Sequence, residues 1–152
     1  MRLLKTKLLT ASTAAFLLTA CAGSPPADLG VIDGNLRACP DSPNCVQTYD
    51  AADTDHYQAP LMPKVDIDAT SQAIKTAIVD SGGKIITEKP LPSQGYYFHA
   101  EYQSTLMRFV DDLEVVVVPD SVRLRSASRL GHSDFGVNAK RYQEIKAYYQ
   151  GL

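Results

Sequence analysis

Positive charge, cysteine and long apolar runs are all in short supply in this chain. Its 152 residues carry 15 Lys+Arg against 17 Asp+Glu, a net charge of −2. That acidic balance argues against general nucleic-acid binding, which needs a basic surface. Only three cysteines are present, at positions 21, 39 and 45. A metal site built on them would need further ligands, and after Cys45 no Cys or His occurs before His56. One long apolar run exists, Leu8 to Ala20, with no second run that could span a membrane. Internal repeats are absent. So is the hydrolase signature Gly-x-Ser-x-Gly: around Ser133 the chain reads "GHSDFG", with Phe135 where the final glycine would stand.

The single apolar run explains itself by its flanks. Arg2, Lys5 and Lys7 precede it, and Leu18-Thr19-Ala20-Cys21 closes it. A basic start, a short apolar stretch and small residues before a cleavage point describe an export signal. A cysteine directly after that point resembles the lipobox of bacterial lipoproteins, which implies a diacylglycerol on Cys21 and further acylation (palmitate or a similar chain). Residues 1–20 are then a leader, and the mature chain carries a net charge of −5. Such a chain has little electrostatic pull toward a membrane, so the lipid is its anchor; several acyl chains hold firmly where one holds marginally. Ala22 follows the cysteine. By resemblance to enterobacterial sorting, that implies the outer membrane, facing the periplasm.

With Cys21 spent on lipid, Cys39 and Cys45 remain in "CPDSPNCV". An oxidising compartment favours a disulfide between them. Residues 21–36, rich in Gly, Pro, Ala and Asp, read as a lipidated tether, with a reach of roughly 50 Å when extended. Residues 37–152 form one domain. The segment from 37 to 63 is broken by four prolines, with "VQTY" as a short edge strand. Helical spacing of Ala73, Ile74, Ala77 and Ile78 predicts a helix over 69–81, capped by Asp68 and ended by Gly82-Gly83. Strands are expected at 84–88, 96–103, 105–110, 113–119 and 121–128. The apolar "LEVVVVP" is the central one. A second helix over 137–150 should bury Val137, Arg141, Ile145 and Tyr148/Tyr149. The order α, consecutive β, α implies an α+β domain: an antiparallel meander of about five strands with two helices on one face.

The densest chemistry lies in "RSASRLGHSDFGVN", Arg125 to Asn138. His132, Ser133 and Asp134 are adjacent, so their side chains diverge and cannot form a triad; a hydrolase would need a distant base such as His56 or His99. An anion site is better motivated. Arg125, Arg129 and Arg141 could converge with Ser126, Ser128, Ser133, Asp134 and Asn138 beside a helix N-terminus. The competing reading is internal pairing, with Asp111, Asp112 and Glu114 as the arginines' partners and Asp134 or Ser133 as a helix cap. Adjacent aspartates on a strand point to opposite faces, so Asp111 and Asp112 are poor partners for one site. Tyr96, Tyr97 and Tyr102 could line a sugar or lipid cleft, although sheet packing is the commoner role.

"CPDSPNCVQT", "RFVDDLEVVV" and "RSASRLGHSDFGVNAKR", in that order, resemble the domain of unknown function 1499 family over about residues 37–150. The resemblance marks Cys39, Ser42, Pro43, Asn44, Cys45, Asp111 and Asp112. It also marks Arg125, Ser126, Ser128, Arg129, Gly131, Ser133, Asp134, Gly136, Asn138 and Arg141. A common family form has Arg directly after the Asn; here Ala139 and Lys140 intervene before Arg141. The family carries a fold and a motif but no assigned reaction.

The expectation is thus an envelope lipoprotein with no cofactor and no metal. Its membrane contact runs through Cys21, and its partner is an anionic small molecule or an envelope protein, not nucleic acid. It acts as a binding or assembly factor, with a hydrolase as the alternative. Cys21→Ser should move the protein from the membrane to the soluble fraction on cell fractionation. Continued membrane retention would remove the lipobox reading.

Overall fold

The computed structural model describes residues 23–92 and 95–152. The expected leader, residues 1–20, and the expected lipidation at Cys21 lie outside them. Among the described residues, no helix is long and apolar enough to cross a membrane.

Seven elements follow one another: β1 (Cys45–Gln47), α1 (Ile67–Asp80), β2 (Lys84–Leu91), β3 (Gly95–Gln103), β4 (Val110–Val118), β5 (Ser121–Ser128) and α2 (Val137–Gly151). The strands form one sheet in the order β1-β5-β4-β3-β2, antiparallel at every step. Strands β2 to β5 are a meander. β1 comes from before α1 and adds to the free edge of β5, as the "VQTY" reading anticipated. This is the expected α+β fold. β4 lies at the centre and is buried along its whole length, which is why its sequence is so apolar.

Alternation along the strands gives the sheet two different faces. Phe98, Ala100, Leu113, Val115, Val117, Val122 and Leu124 meet Ile74, Ile78 and Ile145 from the two helices in one apolar core. α1 begins at an Asp66 cap, whose carboxylate accepts the Ala69 N–H at 2.7 Å. The expected cap, Asp68, sits inside the first turn instead. The helix ends as its glycines suggest: Gly83 N donates to Ile78 O and Gly82 N to Val79 O, with Gly82 at φ +89°.

Two sequence expectations are corrected. Residues 105–110 are not a strand. β3 runs to Gln103, which pairs with Val110, so the chain must reverse between them. Ser104 organises that reversal: its hydroxyl accepts the Phe109 N–H at 2.9 Å and its carbonyl the Arg108 N–H at 3.1 Å. On α2, Val137 and Tyr148 are exposed. The buried stripe is Asn138, Arg141, Tyr142, Ile145 and Tyr149, and the two exposed residues each precede a stripe member by one position, which puts both on the same flank of it.

Among the described residues, no helix packs on the second face. The polypeptide ahead of β1 covers it. Leu36 is buried there with Tyr97, Val116 and Val118, and Val31 and Tyr49 pack against them. Gly30 N donates to Glu114 Oε1 at 2.7 Å, and Arg123 Nη1 to Gly34 O at 3.1 Å. Residues 30–36, assigned to a free tether by composition, are therefore docked on the domain. Leu36→Ala should cost about 2 kcal/mol in urea unfolding, the low end for a buried leucine; an unchanged midpoint would mean that the segment contributes nothing to the fold.

Candidate functional site

The "RSASRLGHSDFGVN" stretch leaves β5, turns, and enters α2, so its side chains reach both faces of the sheet. On the helix side, Asp111 accepts Arg141 Nη2 at 2.6 Å. Arg141 also donates to Asn138 Oδ1 at 2.5 Å and Ser126 Oγ at 3.1 Å, and its guanidinium lies 4.4 Å from the centre of the Tyr102 ring. Asn138, fully buried, is the hub. Its Oδ1 also accepts Ser126 Oγ, and its Nδ2 reaches Asn44 O, Ser128 Oγ and Asp134 Oδ2. The basic residue three places after the asparagine is the one that bonds it, as helical spacing allows.

On the other side, Asp112 is clamped by Arg129, with Nε to Oδ2 at 2.8 Å and Nη2 to Oδ1 at 2.7 Å. Glu101 accepts the same Nη2, and His99 Nε2 bonds Asp112 Oδ1 at 2.7 Å. Burial alone would raise the Asp112 carboxyl; hydrogen bonds from Arg129 and His99, with their charge, hold it below the usual carboxylate range. The Arg129 guanidinium is pushed up, chiefly by its bonds to Asp112. His99, Glu101 and Asp112 bring three ligating atoms within 4.8 Å of one another. Arg129 already supplies the cation between two of these carboxylates, so the set serves an ion pair and not a metal. In the other such group, Cys39, Asp53 and His56, the sulfur is engaged in the Cys39–Cys45 disulfide.

The serine and aspartate of the turn do local work. Asp134 Oδ2 accepts the Asn138 N–H at 2.7 Å and Oδ1 the Gly136 N–H at 2.9 Å, so it caps α2 from two residues ahead of the Gly136 N-cap position. Gly136 takes φ +80°, the left-handed region that glycine enters freely. Ser133 Oγ accepts the Phe135 N–H at 3.2 Å. His56 is held by Asp53 and His99 by Asp112; neither bonds Ser133. Asp111 and Asp112 part to opposite faces as expected, each to its own arginine.

Arg125 differs from its two companions. It faces Glu114 directly across the β4–β5 ladder, yet its Nη1 stands 3.6 Å from Glu114 Oε2, beyond hydrogen-bond length. Its side chain is 2% exposed. Its Nε and Nη1, like Glu114 Oε2, have no hydrogen-bond partner among the described residues. Burial lowers its pKa, and the nearby positive charge of Arg37 lowers it further. Glu114 Oε1 is taken by Gly30 N and by Tyr97 OH at 2.9 Å. Burial and Glu114 push that phenol upward, and burial raises Tyr49 to about 12.

Beside Arg125 a cleft of about 450 Å³ opens between β5 and the covering segment. Arg125 and Arg129 form one wall; Pro26, Arg37 and the Cys39 disulfide form the other. Arg37 is paired with Asp28 at 2.8 Å, while its buried Nε is unpartnered. The three arginines of the sequence reading therefore do not converge. Arg141 lies on the helix face; Arg125 and Arg129 share the other with Arg37. Sequence reasoning missed Arg37 and Glu101, named His99 only as a possible distant base, and marked Asn44 only through the family resemblance. Only the period-2 alternation of β3 signalled His99 and Glu101, by placing them together.

Removing a buried pair's partner is costly because the other charge stays behind. Asp112→Asn should destabilise the domain by about 3–5 kcal/mol at pH 7. The folded pKa of Asp112 lies below its unfolded value, near 4. Its contribution is therefore complete above about pH 4 and disappears as pH falls through the folded pKa. Urea unfolding between pH 7 and pH 2 should show a shallower acid limb for the variant, and equal limbs would place the titrating group elsewhere. Asn138→Ala should cost about 3 kcal/mol, since it strands several buried polar groups at once; a thermal melt within a degree of wild type would deny it the hub role.

Neither the curated proteins nor the solved structures contain a match to this chain. One family does match, over residues 35–148, a span from the Cys39 disulfide through both ion-pair networks to the last turns of α2. The chain thus belongs to the family described as Protein of unknown function (DUF1499).

Proposed function

We propose that this is a lipid-anchored protein of the bacterial envelope that binds an anionic ligand, a carboxylate or a phosphate ester, in the cleft between Arg37 and Arg125. The anchor reading rests on the leader and Cys21. The binding reading rests on one observation: Arg125, its side chain 2% exposed and two of its nitrogens unpaired among the described residues, lines an open cleft together with Arg37 and Arg129. An unpaired buried donor is costly, and an acceptor entering the cleft would relieve that cost. Arg37, across the cleft and only partly buried, can turn its free Nε edge to the same acceptor. Of the residues first expected to hold the ligand, Arg125, Ser128 and Arg129 border this cleft. Ser126, Asp134, Asn138 and Arg141 are engaged in the lock between β5 and α2, while Ser133 accepts only the Phe135 N–H within the turn. No observation favours the hydrolase alternative, because among the described residues Ser133 bonds only the Phe135 N–H and no base.

Inorganic phosphate and acetate are suitable probes. Either should raise the thermal midpoint of the mature protein saturably, by the equivalent of about 2.7 kcal/mol at about one hundred times Kd. Arg37→Ala should abolish the shift while leaving the unliganded midpoint close to wild type, since the Tyr49 bond is to the Arg37 backbone carbonyl. An equal shift in the variant, or no saturable shift with either anion, would overturn the cleft.

A further inference from the structure

One end of the sheet carries an apolar surface that neither the core nor the cleft accounts for. The β3–β4 turn presents Leu106, 88% exposed, with Met107 and Phe109; the β5–α2 turn presents Leu130 and Phe135, the latter 96% exposed. Together they line a groove of about 390 Å³. Exposed apolar patches of this kind mark contact sites. The backbone holds them outward at a cost, since Arg108 and Phe135 both adopt positive φ, +59° and +55°, where bulky residues are rare. Neither gains burial in return.

The chain's own N-terminal course indicates what meets this surface. Gly23 lies against it: a Cβ built on Gly23 would stand 3.0 Å from Arg129 Cβ and 3.1 Å from Leu130 Cγ. Cys21 precedes Gly23 by two residues, a chain length of at most about 7 Å. The acyl chains expected on Cys21 thus begin beside the apolar turns. Because residues 30–36 are docked, the tether provides no length to lift the domain away. Arg108, exposed in the same turn, adds a cation beside these apolar residues.

We propose that Leu106, Met107, Leu130 and Phe135 insert into the same lipid leaflet that holds Cys21, so that the domain lies on the membrane surface and does not hang from a free tether. The inference rests on the lipid anchor proposed above. It can be tested on the full lipidated protein in vesicles of phosphatidylethanolamine and phosphatidylglycerol. Leu106→Cys, Phe135→Cys and Leu152→Cys would each be labelled with a nitroxide; the last lies at the far end of α2, about 20 Å from its first residue. All three side chains are exposed, so labelling leaves the core untouched. The ratio of oxygen to nickel-chelate accessibility should be several-fold higher at 106 and 135 than at 152. Equal ratios in protein that floats with the vesicles would overturn insertion while leaving the anchor standing. Spin–spin coupling between chains at 106 would also overturn it, in favour of a second copy. Protein that fails to float would remove the anchor, and insertion with it.

Discussion

Burial of carboxylates on the central strand governs this fold. β4 is covered along its whole length, yet it carries Asp111, Asp112 and Glu114. Charges in such a place persist only with partners, since desolvation otherwise exceeds what pairing returns. The strand's alternation sends Asp111 to the helix side and the other two to the opposite side. Each meets an arginine from the stretch that ends β5 and begins α2: Arg141, Arg129 and Arg125. One short segment therefore ties both faces of the sheet, and the turn within it must place Arg129 and Arg141 on opposite sides. Asp134 and Gly136 serve that geometry by starting α2 at the right point. The family motif reads best as this lock, because most of its polar members are consumed in it.

The disulfide belongs to the same arrangement. Cys45 pairs in register with Ala127, so the bridge to Cys39 draws the chain ahead of β1 across the helix-free face. There Leu36 and Tyr97 supply apolar cover, and the Gly30 amide answers a buried carboxylate. A short loop closed by a disulfide contributes modestly through entropy. Its larger effect here is positional, since Cys39 lines the cleft beside Arg125. The cover matters because a sheet needs both faces shielded when ion pairs lie on each, and two helices shield only one.

The fold was largely legible in the sequence, and the reason is periodicity. Alternation over 96–103 and 121–128 marked β3 and β5 as strands, and Ala73, Ile74, Ala77 and Ile78 gave α1 its buried stripe. "TLMRFV" misled because its apolar residues are real but serve a turn; composition cannot tell an exposed apolar loop from a strand. The site was legible only in part. The sequence named the arginines and their acidic candidates but left both convergence and pairing open as geometries. Choosing between them requires register across β3, β4 and β5, along with knowledge of what covers the second face. A Gly/Pro-rich stretch such as 21–36 looks the same whether it dangles or docks, and only Val31 and Leu36 within it hint at docking.

The lock between strand and helix leaves two features over: the cleft and the apolar end. They are neighbours, since Ser128 borders both and Arg129 and Leu130 follow it, one lining the cleft and the other the groove. The change from polar to apolar surface thus happens across three residues at the mouth of β5, where Gly23 also makes contact. Under the two proposals together, the apolar turns enter the acyl layer and the arginine-walled cleft opens at headgroup depth. Anionic groups are concentrated there, and lower local polarity strengthens a guanidinium's pairing. A free tether would make the two features independent. The docked N-terminal course makes them one device, because Gly23 touches the apolar end while Pro26, three residues on, lines the cleft. Displacing that wall would therefore alter anion binding and membrane seating at once, whereas changes to Leu106 or Phe135 should touch the seating alone.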